Sequence, residues 1–349
     1  MKPLQHFSST GLMLILIISA LPIILLQNYQ ENSGFMFIVI SSVALFLVLL
    51  VLSLPSVYIK RRYGISFISY AEERTPSAII FIGALYCAVA VFSAEYSLIS
   101  FTEMFSKNIN NKALPEVVSF LLLTVCLYAA SKGINALARS SYLIFAFVAI
   151  CLLVLFLGNI GNIDIGNFKL SEIGSVDFKI ENFSVSIVIP MIVLAFTANS
   201  TMIYEFRKSQ LAVTFLIITF AFFIFRLLIY LVLGSYAGAQ NFCGYAFSKT
   251  ANIGTTDGFE SLYLTASTLS VIVLITILII SAVRCCGKQG STAISSLFCI
   301  IIYVLFICSR NYKSVKEILQ NPIIILSIIF IATFVIPLIY ILFSRKKVV

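Results

Sequence analysis

From Ser184 to Phe206 the chain reads SVSIVIPMIVLAFTANSTMIYEF. The run is apolar and long enough to span a bilayer, for which roughly 20 residues are needed, yet it does not read as one continuous helix. Pro190 removes a backbone donor early in it. Ala195-Phe196-Thr197-Ala198-Asn199-Ser200-Thr201 follows, small and polar at a depth where lipid penalises both. Non-helical backbone at membrane depth survives only where protein or a water-filled cavity covers it. In transporters such broken helices hold the substrate near the midplane, with half-helix termini facing it. The alternative is an ordinary helix whose Ser, Thr and Asn pack against neighbouring helices.

The rest of the chain has the same character. Of 349 residues 60% are apolar and 11% charged, against about 25% charged in a soluble domain, so an integral, multi-pass membrane protein is expected. The net charge of +9 therefore reports loop sidedness and not nucleic-acid binding. Eight cysteines and a single histidine, His6, are present with no Cys-x-x-Cys. Zinc, haem and Cys/His catalysis thus lack ligands or bases, and no metal or cofactor is expected. A Gly-rich phosphate loop ending in Lys-Ser or Lys-Thr is missing, and the ionisable groups well inside spans are too few for paired-carboxylate chemistry. An enzyme is not expected. Lys2 and the apolar run to Leu26 mimic a signal peptide, but no small-residue cleavage pattern follows, so the run reads as a retained first span.

Ten spans are predicted, over 10–27, 34–54, 77–101, 115–131, 141–158, 184–204, 210–233, 258–282, 291–309 and 323–343. Thr75-Pro76 and Asn321-Pro322 place a cap before a proline at the first helical position. Asp257 reads as the cap of the eighth span, with Glu260 in its first turn. With the N-terminus in the cytoplasm, fourteen basic residues fall in inner segments and eight in outer ones. Both termini are therefore expected to be cytoplasmic, although Arg310, Lys313 and Lys316 in one outer loop argue locally the other way. The longest loop, 159–183, divides a first five-helix repeat (1–158) from a second (184–349) within one membrane domain. Because five is odd, the second set enters the membrane from the opposite side, as in an inverted-topology repeat. Span one should then be interrupted like span six, and Ser19-Ala20-Leu21-Pro22 supplies a break at the matching place. The expected fold is all-α: ten transmembrane helices in a five-plus-five inverted repeat with broken first and sixth helices.

Several segments resemble the amino-acid/polyamine/organocation superfamily, and within it the spore germination permeases, the B subunits of germinant receptors. They are Lys60-Arg61-Arg62-Tyr63-Gly64-Ile65-Ser66 with Tyr70-Ala71-Glu72 after span two, Glu95 with Phe101-Thr102-Glu103 in span three, and Leu114-Pro115 opening span four. The most specific is Ala130-Ser131-Lys132-Gly133-Ile134-Asn135-Ala136-Leu137-Ala138-Arg139 between spans four and five, similar to the family's Lys-Gly-Ile…Ala-Arg signature. The similarity runs from about residue 55 to 170. Beyond it the family's Pro-Phe-x-Glu pattern is missing after Pro190, and Ala195 through Glu205 is similar instead to the sixth span of general amino-acid permeases. The resemblance implies a permease fold that binds an amino acid or similar small nutrient. It also implies a B subunit in the bacterial cell membrane or spore inner membrane, acting with two other receptor subunits. The alternative is a secondary amino-acid transporter working by alternating access. From the residues themselves, Gly133 can end span four in a left-handed cap, with Lys132 and Arg139 at the inner interface; a fold-determining role follows for this segment.

A zwitterion needs an anion site and a cation site, and the two termini of a broken helix supply both. The expected ligand-binding residues are Ser19, Ala20 and Leu21 in span one and Phe196, Thr197, Ala198, Asn199 and Ser200 in span six. An interhelical hydrogen bond is the alternative role for Asn199. Tyr263, Ser267 and Thr268 share a face of span eight. Hydroxyls of that span help hold an ion in sodium-coupled relatives, and ordinary helix contacts are the alternative. Glu95 and Arg226 lie at similar depth in spans three and seven, and each should face protein or water. Glu95 reads as a ligand or proton site or as the partner of Arg226 in an intramembrane ion pair. Arg226 can instead snorkel outward.

Overall fold

The computed structural model describes residues 9–26, 35–75, 78–108, 114–167, 210–240, 242–254, 256–286 and 291–343. In chain order the helices are α1 (Ser9–Leu25), α2 (Phe35–Tyr63), α3 (Phe67–Arg74), α4 (Ile79–Asn108), α5 (Pro115–Asn159), α6 (Gln210–Leu233), α7 (Cys243–Thr250), α8 (Glu260–Cys285), α9 (Thr292–Asn311), α10 (Lys313–Gln320), α11 (Pro322–Phe330) and α12 (Ile336–Phe343). Ile331–Val335 is a π-helical segment joining α11 to α12. Asn252–Ile253 and Thr256–Asp257 form a short antiparallel hairpin ahead of α8. Seven helices among the described residues are long and apolar enough to cross a membrane, and the chain is an all-α membrane protein.

The core is built on α8. In its most apolar window 83% of residues are buried, against 22–44% in the other six long helices. A helix that is apolar on every side belongs inside a bundle, and α1, α4 and α5 enclose this one. The other helices turn apolar stripes outward. Val43, Leu47, Val51 and Leu54 on α2, and Leu297, Ile300 and Val304 on α9, recur at helical spacing and are exposed. In water such stripes would be a liability; in a bilayer they are the surface that meets lipid.

Polarity follows from α4. Gly83 near its start lies against the Cys285 carbonyl at the close of α8, and the Asn108 carbonyl at its end accepts from the Tyr245 hydroxyl of α7 at 3.2 Å. So α4 and α8 run antiparallel, and we call the Asn108 end the upper one. Both ends of α5 are also at the top. Pro115 shares a cavity with Arg310 in the last turn of α9, and Gly158 packs on Ala251 and Asn252 just ahead of α8. A straight helix of its 45 residues would be about 67 Å long. The direction changes at Gly133, whose φ of 79° and ψ of 176° lie where essentially only glycine is found. Span four thus ends at Gly133 as read from the sequence, but in an extended positive-φ conformation and not in the left-handed cap expected.

Two expectations are corrected here. The first helix is continuous through Ser19, Ala20 and Leu21, with Pro22 inside it, so the expected break in span one is not formed. Pro22 lies in the last turn of α1, and the next amide to close a turn, that of Leu26, reaches the Pro22 carbonyl at 2.8 Å. One lost donor in a helix gripped on several sides does not open it: Leu12, Ile15, Leu16 and Ile18 are fully buried, and α5, α6 and α8 pack around them. The second correction concerns the eighth span. Its N-cap is Phe259, and Asp257 lies in the hairpin. Glu260 does occupy the first turn. Asn321 caps α11 as read, its Oδ1 accepting from the Ile323 and Ile324 amides at 3.0 and 3.4 Å. Pro76, span six and most of the 159–183 loop fall outside the described residues.

Candidate functional site

The upper half of α4 carries a stripe of residues spaced to share one face: Glu95, Ile99, Thr102, Glu103 and Ser106. The upper end of α9 packs against it. Glu95 at the deep end of the stripe is fully buried, and neither carboxylate oxygen has a hydrogen-bond partner among the described residues. The Ser309 hydroxyl faces it from α9 but donates to the Phe306 carbonyl at 2.8 Å. Burying a carboxyl without partners is costly in any protonation state, so this one is not there for packing.

Above Glu95 opens a cavity of about 270 Å³. Ile99, Phe306 and Pro115 supply its apolar wall, and Thr102, Ser106 and Ser309 its hydroxyls. Lys107, Arg310, Lys316 and Glu103 line it as well. Helix dipoles explain why charge collects here. Lys107 and Arg310 sit in the last turns of α4 and α9, where cations are favoured, and Glu116 in the first turn of α5, where an anion is. Arg310 Nε meets Glu116 Oε1 at 3.0 Å. Glu103 binds Lys316 of α10 through Oε1 and Lys107 through Oε2, the latter at 3.6 Å.

The residues expected at the site are dispersed. Ser19, Ala20 and Leu21 are buried in α1, and the Ser19 hydroxyl donates to the Leu16 carbonyl at 2.9 Å. Phe196, Thr197, Ala198, Asn199 and Ser200 lie outside the described residues. Tyr263 is a clamp: its hydroxyl donates to the Leu25 carbonyl at the end of α1, at 2.6 Å. Gly244 allows this approach, since a Cβ there would stand 2.7 Å from the Tyr263 hydroxyl and 2.8 Å from the Leu25 carbonyl oxygen. Ser267 and Thr268 both donate back to the Leu264 carbonyl, at 2.9 and 2.7 Å. All three hydroxyls of span eight thus donate to helix carbonyls, which leaves only their lone pairs for an ion or ligand.

Glu95 and Arg226 do not meet. Arg226 is buried on α6 with its guanidinium over the Phe222 ring at 5.0 Å, and no hydrogen bond joins it to the Glu95 carboxylate. Similar depth does not bring the two together, because α6 packs on α1 and α2 whereas α4 packs on α5, α8 and α9. Arg226 faces protein and does not snorkel. Sequence reasoning missed Thr102, Ser309 and Lys316 as cavity residues. The repeat of polar positions above Glu95 at i+7, i+8 and i+11 was the available signal.

No protein-family model matches the chain, and no curated protein matches it in sequence.

Proposed function

We propose that the chain is a permease-like membrane protein that binds an amino acid or similarly small polar nutrient. Its role would be that of a germinant-receptor B subunit in the spore inner membrane, acting with two other receptor subunits. The observation that carries the binding role is Glu95, a fully buried carboxyl with no partner among the described residues, beneath a polar cavity open to the upper end of the bundle. An ionisable group kept at such a depth is by default a functional group. The resemblance around residues 60–139 supports the germination role, in which ligand favours one arrangement of the helices and the partner subunits respond to it.

Helix packing supports the ten-span, five-plus-five reading. An inverted repeat pairs span two with seven, three with eight, and four with nine. In each pair the two helices are neighbours: α2 with α6, α4 with α8, and the first half of α5 with α9. Partners related by an axis in the membrane plane meet in this way. The helices on either side of the 159–183 loop are interleaved, as expected of one membrane domain. In this reading the upper end is the outer one.

The test is equilibrium binding of labelled amino acids to the purified chain in lipid nanodiscs, with Glu95→Gln as the variant. Binding should weaken at least about ten-fold with protein yield unchanged. Equal affinity in the two proteins would sink the assignment of Glu95. Uptake into sealed proteoliposomes separates the two roles: net accumulation of a bound amino acid favours the transporter, and binding without uptake favours the receptor subunit.

A further inference from the structure

Hydrogen-bond direction divides the upper cavity into two chemically opposite layers. At the floor, every hydroxyl has committed its proton to its own helix. Thr102 donates to the Leu98 and Ile99 carbonyls at 2.8 and 3.0 Å, and Ser309 to Phe306 at 2.8 Å. A hydroxyl so engaged offers a ligand only its lone pairs. Behind this floor, one helical turn below Ile99, stands the Glu95 carboxyl, without a hydrogen-bond partner among the described residues. The deep layer thus accepts hydrogen bonds.

The rim is the reverse. Among the described residues at the rim, the cations Lys107, Arg310 and Lys316 meet two carboxylates, Glu103 and, on Arg310, Glu116, which leaves one positive charge in excess. Glu103 is shared between two of them, and its hold on Lys107 is the looser, at 3.6 Å. Lys107 keeps 56% of its side chain exposed, so its ammonium can turn toward a ligand. The rim therefore donates hydrogen bonds and attracts negative charge. Ile99 and Phe306, a turn below Thr102 and Ser309, close the cavity from beneath, and Pro115 lines it from the start of α5.

Granting the amino-acid reading above, on which it rests, we propose that this cavity takes a small zwitterion of the α-amino-acid class, its ammonium on the acceptor floor and its carboxylate at the cationic rim. A simple amine satisfies only the floor and a simple carboxylic acid only the rim. Neither should substitute for the zwitterion. Ile99, 4% exposed, stands between the cavity and Glu95, so in this arrangement of the helices the carboxyl makes no direct contact with the ammonium.

The experiment uses the full chain in nanodiscs and each of the twenty labelled protein amino acids as the probe. For any that binds, its deaminated acid and its decarboxylated amine are added as competitors. Each analogue should compete at least about ten-fold more weakly than the parent. Lys107→Gln with Lys316→Gln should weaken the parent about ten-fold while leaving the amine unchanged, because only the parent uses the rim. An unshifted thermal unfolding profile certifies the variant's fold. If an amino acid binds but its amine competes equally, or the rim variant binds it as wild type does, the two-layer proposal is wrong and the amino-acid reading stands. If none of the twenty binds, the amino-acid reading fails and the proposal with it.

Discussion

Replacing Glu95 with methionine should make the protein more stable and abolish ligand binding. Methionine keeps the unbranched stem of glutamate and fills irregular apolar space, so it fits a site that is fully buried against α9. What it removes is a carboxyl whose two oxygens have no partner among the described residues. An unsatisfied buried polar group costs about 1–3 kcal/mol even when neutral, and a charge at the bilayer centre at least about 2.5–3.5 kcal/mol. A near-isosteric swap loses less than about 1.5 kcal/mol to imperfect packing. The balance is a net gain on the order of 1 kcal/mol, equivalent to a rise of roughly 2 °C in melting temperature. The chain has no tryptophan, so unfolding is best followed through its buried thiols, Cys126, Cys151, Cys243 and Cys299, with a dye that fluoresces on reacting with them. The reasoning is refuted if Glu95→Met is well expressed but melts below wild type. The carboxyl would then be held by a partner, and a structural role would explain its retention.

Three further substitutions test the architecture. Gly133→Ala meets nothing within 4 Å, so its whole effect is backbone strain at φ 79°, about 1–3 kcal/mol; a melting curve unchanged from wild type would mean that α5 does not turn there. Gly244→Ala drives a methyl against the Tyr263 hydroxyl and the Leu25 carbonyl and should destabilise by about 1–3 kcal/mol. In Gly244→Ala with Tyr263→Phe one of the two clashes is gone, so the double variant should lose less than the sum of the singles by about 0.5 kcal/mol or more, and strict additivity would break the clamp. Arg310→Gln opens a pair that is half exposed on both sides and should change stability by less than about 1 kcal/mol; a larger loss in the same melting assay would mean that the pair holds α9 to α5.

The parts of the fold legible in the sequence are those set by one residue or by local periodicity. Gly133 marks its turn because no other residue tolerates that conformation. Leu114-Pro115 and Asn321-Pro322 open α5 and α11 because proline sits at the first position of each helix. Packing is not legible in the same way. Tyr263, Ser267 and Thr268 share a helical face whether or not they hold an ion, and only the Leu25 and Leu264 carbonyls show what occupies their protons. Similar depth suggests a Glu95–Arg226 pair, but depth says nothing about azimuth around the bundle. The Ser19-Ala20-Leu21-Pro22 segment reads as a break because proline breaks isolated helices; neighbours on several sides keep α1 whole. The π segment at Ile331–Val335 leaves no sequence signal either. Its Ala332 carbonyl is engaged by the buried Tyr86 hydroxyl at 2.8 Å, a partner 246 residues away in the chain.

The one loop that argues against the expected orientation is likewise tied to partners distant in the chain. Counted along the sequence, Arg310, Lys313 and Lys316 put three cations, with Glu317 their one acidic neighbour, on the side where basic residues should be scarce. In three dimensions none stands alone. Arg310 lies on Glu116, Lys316 lies on Glu103, and Lys313 is 3.8 Å from Glu317, one helical turn on. Glu103 and Glu116 come from α4 and α5, far earlier in the chain. A basic residue that arrives with its counter-ion adds little net charge to its side of the membrane. Sidedness follows the count of basic residues and not net charge, so the loop still argues locally against an inside N-terminus, and its Arg310 and Lys316 stand at the rim of the cavity above Glu95.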